Sequence, residues 1–274
     1  MKLNIDNFDI KQIADSGECF RWNKIGENKY RGIIYNNVCE VTQNGNKITI
    51  DGVEDVNLIN NYFDLERDYE NIKNHYKDDE ILSKAMEFGY GIRILNQDKF
   101  ETLISFIISA NNNIPRIKKS IEKISQKYGK KIIYNNEEFY SFPTPKELSK
   151  ATLEELRECG VGFRDKYILK TANEVASGEI NLEKISELET EKAKKELLKI
   201  TGVGPKVADC ILLFSMKKVD AFPIDVWIKR IMENLYIKKE VTLKEIEKYS
   251  KEKFGIYAGI AQQYLFYYIR EKGI

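Results

Sequence analysis

The spacing of hydrophobic and polar residues changes near residue 60 of the 274-residue chain. Before that point, apolar and polar residues alternate from Tyr30 to Val53, interrupted by Asn-Asn and Asn-Gly pairs. A period of two with such turn residues predicts antiparallel strands joined by hairpins. From about Asn57 onward the apolar residues recur at helical spacing to the end of the chain. That pattern predicts a succession of α-helices.

The change of period predicts an α+β protein, with an N-terminal antiparallel β-sheet lobe followed by a large all-helical region. We expect the β-rich lobe and its flanking helices to span residues 1–96, and the helical region to span residues 97–274. This length suffices for two domains. A hydrophobic fraction of 42% supports a sizeable core, and no apolar run is long enough to span a bilayer. No membrane partner is therefore expected.

Composition narrows the possible chemistry. A net charge of +1 does not by itself indicate a nucleic-acid-binding protein, although a local basic surface is enough to bind phosphates. The only histidine, His75, lies in a charged stretch, which argues against Ser-His-Asp and Cys-His catalysis. The cysteines are too widely scattered for a zinc site or an iron–sulfur cluster, so we expect free thiols and no metal. They are Cys19, Cys39, Cys159 and Cys210.

The most informative segment is a Gly-Val-Gly-Pro turn between two predicted helices. The first helix should end near Thr201, and Pro205 suits the first position of the second helix, where no N–H is needed. Gly202 and Gly204 permit backbone conformations that other residues avoid and let the chain approach a ligand closely. These features predict a helix–hairpin–helix over about residues 191–216.

A hairpin of this kind leaves backbone N–H groups without partners. The N–H groups around Gly202, Val203 and Gly204 could bind a DNA phosphate, with or without a monovalent cation. An ordinary αα-hairpin with a glycine turn fits the same residues. Basic residues surround the segment, and most of them are expected to lie on solvated helix faces. They are Lys194, Lys195, Lys199, Lys206, Lys217, Lys218, Lys229 and Arg230.

Lys206 and Asp225 are the candidate catalytic pair. Lys206 falls in the first turn of a helix, where the helix dipole and nearby lysines should lower its pKa and free an amine to attack. Cys210 is one turn further on the same face, where a core position also explains it, and Asp209 is a counter-charge or a cap. Asp225 stands where another helix should start, so it should cap that helix. A carboxylate held there can also stabilise positive charge on a sugar as a glycosidic bond breaks.

Six segments resemble, in the same order, the motifs of one known family. The resemblance is to the HhH-GPD superfamily of base-excision DNA glycosylases and, within it, to the 8-oxoguanine DNA glycosylase/AP lyases of the Ogg type. It covers nearly the whole chain, so it is far more specific than the hairpin alone. The segments are Ser16–Trp22, Tyr90–Ile117, Gly160–Tyr167, Gly202–Cys210, Phe222–Val226 and Tyr257–Phe266.

The resemblance implies a mechanism. Lys206 would attack C1′ of the damaged nucleotide, displace the base and form a Schiff base, and β-elimination would then cut the strand. Asp225 would stabilise the oxocarbenium-like transition state. The partner would be double-stranded DNA containing 8-oxoguanine, and the protein would need no cofactor. We expect a monomer located in the cytoplasm, associated with the nucleoid in a prokaryote, or in the nucleus of a eukaryote.

The resemblance also implies a pocket for the extruded base. Gly17 would accept a hydrogen bond from N7–H, which 8-oxoguanine has and guanine lacks. Cys210 and Phe266 would sandwich the ring, and Gln262 would read its Watson–Crick edge. The residues alone establish only that Gln262 and Phe266 share a helix face. A surface amide and a core aromatic would satisfy that spacing as well.

Other residues would contact the opposite strand. Asn111 would fill the gap or touch the orphaned base. Arg116 and Arg164 would hydrogen-bond to the opposite cytosine. Phe163 would wedge beside that cytosine, at a position where the family often has a tyrosine. On local reasoning, the Asn-Asn-Asn segment is a capping turn, and Arg116 could be a phosphate or surface residue. Phe163 is one departure from the family, and Trp227 is a second. Trp227 follows Asp225-Val226 at a position where relatives often carry a histidine.

Two other classes of protein are less consistent with the chain. An endonuclease III-type glycosylase often carries four C-terminal cysteines, and this chain has none there. An alkyl-base glycosylase usually lacks the lysine. A non-catalytic helix–hairpin–helix protein would need the hairpin but neither Lys206 nor Asp225, and it stays open on the residues alone, as does a glycosylase for a different damaged base.

Overall fold

The computed structural model describes residues 1–272 and contains an N-terminal five-stranded antiparallel sheet. Its strands lie in the order β1-β5-β4-β3-β2. The alternation in the sequence becomes the two hairpins that form the centre of this sheet, β3–β4 and β4–β5. The strands are β1 (Lys2–Asn4), β2 (Asn23–Lys24), β3 (Lys29–Ile34), β4 (Asn37–Asn44) and β5 (Lys47–Asp51).

The remaining chain is largely helical, so the predicted α+β class is confirmed. The helices are α1 (Ile10–Asp15), α2 (Val56–Tyr62), α3 (Tyr69–His75), α4 (Glu80–Phe88), α5 (Lys99–Ser109), α6 (Ile114–Tyr128), α7 (Pro145–Leu148), α8 (Leu153–Glu158), α9 (Asp165–Ser177), α10 (Leu182–Glu187), α11 (Thr190–Leu197), α12 (Pro205–Ser215), α13 (Val226–Ile231), α14 (Leu243–Phe254) and α15 (Ala258–Lys272). Two short 3-10 segments (Gly162–Arg164 and Gly255–Tyr257) and one π-helical segment (Met232–Ile237) complete the set.

A two-stranded hairpin interrupts the region that the sequence predicts to be all-helical. It consists of β6 (Lys131–Tyr134) and β7 (Glu137–Tyr140). Asn135 and Asn136 form its turn with positive φ values of 50° and 62°, as a tight hairpin turn requires and as asparagine tolerates. The segment alternates too briefly to stand out between long helical stretches. It packs beside the main sheet, where Arg31 forms a 2.5 Å ion pair with Glu137.

Helices α5 and α12 form the centre of the helical region. Every residue of α12 from Val207 to Ser215 is buried, and α5 is buried from Thr102 to Ile108. The two helices meet through Phe106 and Phe214, whose rings stack with centroids 5.9 Å apart. Because α12 is enclosed on every face from Val207 onward, only Pro205 and Lys206 at its start are accessible to solvent.

The sheet has its own core, centred on Trp22. This indole is 1% exposed, and its Nε1 donates to the Tyr62 hydroxyl at 2.9 Å. Gly32 on β3 lies directly under the ring, since a Cβ added there would fall 2.5 Å from two of its carbons. A buried indole has no room to move away, so this position accepts only glycine.

All four cysteines are buried and free, as the scattered spacing predicted. None of the helices described within residues 1–272 combines the length and the apolar character needed to cross a membrane. In the same residues, no three His, Cys, Asp or Glu side chains converge as they would around a metal ion.

The contact between Gly32 and Trp22 yields a test of the sheet core. We expect Gly32→Ala to destabilise the protein by about 1–3 kcal/mol, because the added methyl overpacks a rigid site. Gly204→Ala is the matched control, since a Cβ there meets nothing within 4 Å. Urea unfolding of both variants gives the comparison. Equal midpoints for the two variants would contradict the packing assigned to Trp22.

Candidate active site

The hairpin between α11 and α12 places the candidate lysine at the protein surface. Helix α11 ends at Leu197, four residues before the predicted end near Thr201. Gly202 adopts φ of +88° and lies against the ring of Tyr167, so a side chain there would be both strained and obstructed. Gly204 precedes α12 without any side-chain cap. The first N–H groups of α12 are therefore free to bind an anion.

Lys206 projects from the first turn of α12 toward α5. Its Nζ lies 5.1 Å from the centroid of the Phe106 ring. Burial alone lowers the pKa of Lys206, but the nearby Cys210 sulfur and the carboxyls of Glu18 and Asp225 outweigh burial, and the pKa is raised above its ordinary value. The predicted lowering is therefore wrong for the free protein. Cys210, on the same helix, and the two carboxyls that the fold brings beside Lys206 together outweigh the burial that lowers its pKa.

Cys210 lies one turn below Lys206 and is fully buried. Burial raises the pKa of its thiol far above the ordinary value, so the sulfur stays protonated at neutral pH. Its position fits both descriptions given from the sequence. Cys210 belongs to the core, and it is also adjacent to Lys206. Asp209, in contrast, pairs with Lys194 at 2.8 Å. Lys194 also binds Glu247 at 2.8 Å, so neither residue serves the candidate site.

Asp225 occupies the N-cap of α13, as predicted. Its Oδ1 accepts a hydrogen bond from the backbone N–H of Ile228 at 2.8 Å. The carboxylate also acts electrostatically on Lys206 and on Glu18. The structure therefore brings the predicted nucleophile and its predicted electrostatic partner into one cluster, although nineteen residues separate them in the chain.

Glu18 is a member of this cluster that the sequence analysis did not identify. Its side chain is 9% exposed, and burial raises its pKa from 4.5 to about 7 against the opposing influence of Lys206. The backbone is also fixed, because Gln97 donates to the Glu18 carbonyl at 3.2 Å and to the Phe214 carbonyl at 2.9 Å. No local pattern marks Glu18, since its importance comes from contacts with a helix nearly 190 residues away.

The residues predicted to bind the extruded base include Gly17, on the loop after α1, and two residues of α15. Gly17 has φ of +91°, and a Cβ built on it would lie 3.6 Å from Cε1 of Phe266. These two residues are therefore neighbours, as the base-stacking role requires. Gln262 is 3% exposed, so it is not a surface amide. Its Oε1 is buried without a hydrogen-bond partner, a state that is unfavourable unless water or a ligand satisfies it.

The residues assigned to the opposite strand form a second group around the start of α6. Asn111 is exposed and adopts φ of +50°, and Arg116 is exposed on the first turn of α6. Asn113 caps that helix by accepting from the Arg116 N–H at 3.1 Å, as the capping prediction requires. The ring of Phe163 is 64% exposed, an unusual state for a large apolar side chain and one suited to insertion into a base stack.

Arg164 differs from the other three because it is buried. It is 7% exposed, and its guanidinium donates to the carbonyls of Ala110, Asn111 and Val161. The same group lies 4.4 Å from the centroid of the Phe163 ring. In this structure Arg164 therefore holds the Asn111 loop and Phe163 in place rather than projecting into solvent. Trp227 is 38% exposed beneath Arg230, so it does not pack in the core.

The buried Glu18 carboxyl predicts a pH-dependent stability. Its pKa rises from 4.5 to about 7 on folding, so the folded state holds an extra proton between those values, and stability falls as pH rises through them. We expect wild type to lose up to about 3 kcal/mol relative to Glu18→Gln between pH 5 and pH 8. Urea unfolding at both pH values measures this difference. Parallel stability curves for the two proteins would show that Glu18 titrates normally.

Two family profiles together match the chain from residue 1 to residue 255. The 8-oxoguanine DNA glycosylase, N-terminal domain, matches residues 1–103. The HhH-GPD superfamily base excision DNA repair protein profile matches residues 104–255, more than half of the chain. These profiles cover both groups of candidate residues, except for Gln262 and Phe266.

Relatives and solved structures agree with this match. The chain is 32% identical to a probable N-glycosylase/DNA lyase of Methanothermobacter thermautotrophicus, over 100% of this chain and 97% of the relative. It is 30% identical to N-glycosylase/DNA lyase OGG1 of Arabidopsis thaliana, over 97% of this chain and 78% of the relative. A crystal structure of Clostridium acetobutylicum 8-oxoguanine glycosylase/lyase with dsDNA containing cytosine opposite 8-oxoG superimposes with a TM-score of 0.96 at 48% identity, covering 99% and 94% of the two chains. The chain therefore belongs to the 8-oxoguanine DNA glycosylase family of the HhH-GPD superfamily.

Proposed function

We propose that the protein removes 8-oxoguanine from double-stranded DNA and then cleaves the strand at the resulting site. The observation that carries this proposal is the cluster of Lys206, Asp225 and Glu18 next to Gly17, which in turn lies against Phe266. A binding protein would need the hairpin but would have no use for a lysine placed beside the buried Glu18 carboxyl and the Asp225 carboxylate. The family's activity assigns the same two steps to this arrangement.

In the first step, Lys206 Nζ attacks C1′ of the extruded nucleotide. The free protein keeps this amine protonated, so the proton must pass to a neighbouring carboxyl, of which Glu18 and Asp225 are the nearest acidic groups that act on it. The C1′–N9 bond breaks as the C1′–Nζ bond forms, and the electron pair leaves with the base. Asp225 stabilises the positive charge that develops on the sugar. Sugar ring opening gives a Schiff base, and β-elimination then cuts the strand.

Recognition of the lesion depends on a single proton. The Gly17 carbonyl accepts a hydrogen bond from N7–H of 8-oxoguanine, whereas guanine would place a lone pair against the carbonyl and leave it unsatisfied. Phe266 and Cys210 enclose the ring. The unpaired Oε1 of Gln262 accepts from the donors on the Watson–Crick edge, so binding of the base satisfies a group that is buried and orphaned in the free protein.

The duplex is held from two sides. The hairpin of Gly202, Val203 and Gly204 binds a phosphate, with or without a monovalent cation. The Val203 N–H already donates to the Ile200 carbonyl at 3.1 Å, so Gly202 and Gly204 supply the free donors. Phe163 inserts beside the opposite base, and Asn111 fills the gap left by the extruded nucleotide. Arg116 reads the opposite cytosine, joined by Arg164 if its guanidinium exchanges the loop carbonyls for the base. We propose a monomer that needs no metal and works at the chromosome, in the cytoplasm of a prokaryote or the nucleus of a eukaryote.

Borohydride trapping tests the nucleophile. Wild type should form a covalent adduct with a duplex containing 8-oxoguanine, because borohydride reduces the Schiff base. Lys206→Gln should form none while still binding the duplex, since the substitution removes only the amine. Duplexes with each of the four opposite bases, and with other damaged bases, define the lesion range. A normal adduct from Lys206→Gln would reassign the nucleophile, and an adduct only with another lesion would reassign the substrate.

Substitution of Asp225 separates its two roles. Asparagine retains the N-cap, so Asp225→Asn should fold with nearly wild-type stability, whereas Asp225→Ala should lose about 1 kcal/mol as well. Both variants should bind duplex DNA but release the base roughly a hundredfold or more slowly, because the compensating negative charge is gone. Single-turnover base release and urea unfolding give the two readouts. Wild-type turnover in Asp225→Asn would remove the carboxylate from the mechanism.

A further inference from the structure

A guanidinium lies at the pocket where the base should bind, and the resemblance gives it no role. Arg270 is on the last turn of α15, one helical turn beyond Phe266. Its side chain is 22% exposed, and its Cζ lies 5.5 Å from the centroid of the Phe266 ring. The guanidinium therefore rests beside the aromatic ring that is proposed to stack on the lesion, within the range of a cation–π contact.

The same guanidinium also covers Gly17. A Cβ built on Gly17 would collide with Arg270 Nη1, so this nitrogen occupies the space where any other residue would carry its side chain. One cation thus contacts both the proposed N7–H acceptor and the proposed stacking ring. No other described cation approaches both of these residues.

The hydrogen bonds of Arg270 use two of its three guanidinium nitrogens. Nη2 donates to the Asp15 carbonyl and to Glu271, and Nε donates to Glu271 at 3.2 Å. Within residues 1–272, Nη1 has no acceptor, and this is the nitrogen that lies over Gly17. An unused donor of a permanently charged group therefore lies beside Gly17, the residue proposed to bind the Hoogsteen edge of the base.

A donor in this position suits the chemistry of the leaving base. In 8-oxoguanine the oxygens O6 and O8 flank N7–H, so a base whose N7–H meets the Gly17 carbonyl places one of these oxygens near the residues around Gly17. When the C1′–N9 bond breaks, its electron pair passes to the base, and the negative charge spreads over the ring nitrogens and both oxygens. A fixed guanidinium donor stabilises that charge more in the departing base than in the intact nucleotide.

We propose that Arg270 is a catalytic residue that donates from Nη1 to a carbonyl oxygen of the extruded oxopurine and stabilises the base as it leaves. This assignment rests on the proposed function. It extends the site from groups that act on the sugar, Lys206 and Asp225, to a group that acts on the base. The bonds to Asp15 and the exposed Glu271 keep the guanidinium oriented while Nη1 remains available.

The test separates base release from strand cleavage, using one duplex with 8-oxoguanine and one with a preformed abasic site. Arg270→Gln should slow single-turnover base release by about tenfold to a hundredfold, the value of one charged hydrogen bond. Cleavage and borohydride trapping on the abasic duplex should stay within about twofold of wild type, because no base is left to stabilise.

Arg270→Lys, which keeps the charge but not the planar guanidinium, should release the base at an intermediate rate. Lys272→Gln, the other cation of the same turn, is the control and should match wild type.

Each remaining outcome is decisive. Unchanged base release in Arg270→Gln, or an equal loss on both duplexes, would overturn the assignment, the latter because it would indicate a structural role. Thermal melting of the variant detects such a role independently. A wild-type protein that cuts the abasic duplex but leaves 8-oxoguanine in place would overturn the proposed function itself. If wild type acts on both duplexes and Arg270→Gln does not selectively slow base release, the inference fails while the proposed function stands.

Discussion

The burial of α12 is the constraint on which the site depends. All residues from Val207 to Ser215 are enclosed, so this helix cannot shift without disturbing the core around it. Its first turn alone reaches the surface, and that turn carries Lys206 and the free N–H groups of the hairpin. The core thus holds the candidate nucleophile and the candidate phosphate contact in one rigid element. A nucleophile that must meet a carbon atom within a fraction of an ångström benefits from such support.

The electrostatics of the site result from long-range folding rather than local sequence. Glu18 approaches Lys206 because Gln97 ties the Glu18 backbone to the C-terminal end of α12. Asp225 arrives through the turn that starts α13. With Cys210, they raise the pKa of Lys206 although burial lowers it, and burial raises the pKa of Glu18 to about 7. Glu18 is therefore placed to exchange a proton with the Lys206 amine near neutral pH.

The sequence predicts those features that depend on neighbours in the chain. The period of two predicted the sheet, glycines and a proline predicted the hairpin, and the position of Asp225 predicted its cap. The predicted lowering of the Lys206 pKa was wrong because Cys210, Glu18 and Asp225 together outweigh burial, and Glu18, which lies far away in the chain, is not part of any local pattern. The β6–β7 hairpin was missed because its strands are only four residues long. Arg270 could not be identified, since only the folded chain places the last turn of α15 over Gly17.

The four enclosed cysteines have a consequence for a protein that meets oxidised DNA. Burial raises the pKa of Cys19 and of Cys39 to about 12, and it raises the pKa of Cys159 and Cys210 as well. Peroxides react with thiolates, and they need access to the sulfur. Both requirements fail at these positions while the protein is folded. The oxidants that generate its substrate would therefore leave the repair enzyme's own cysteine thiols intact, so repair could continue under the stress that makes it necessary.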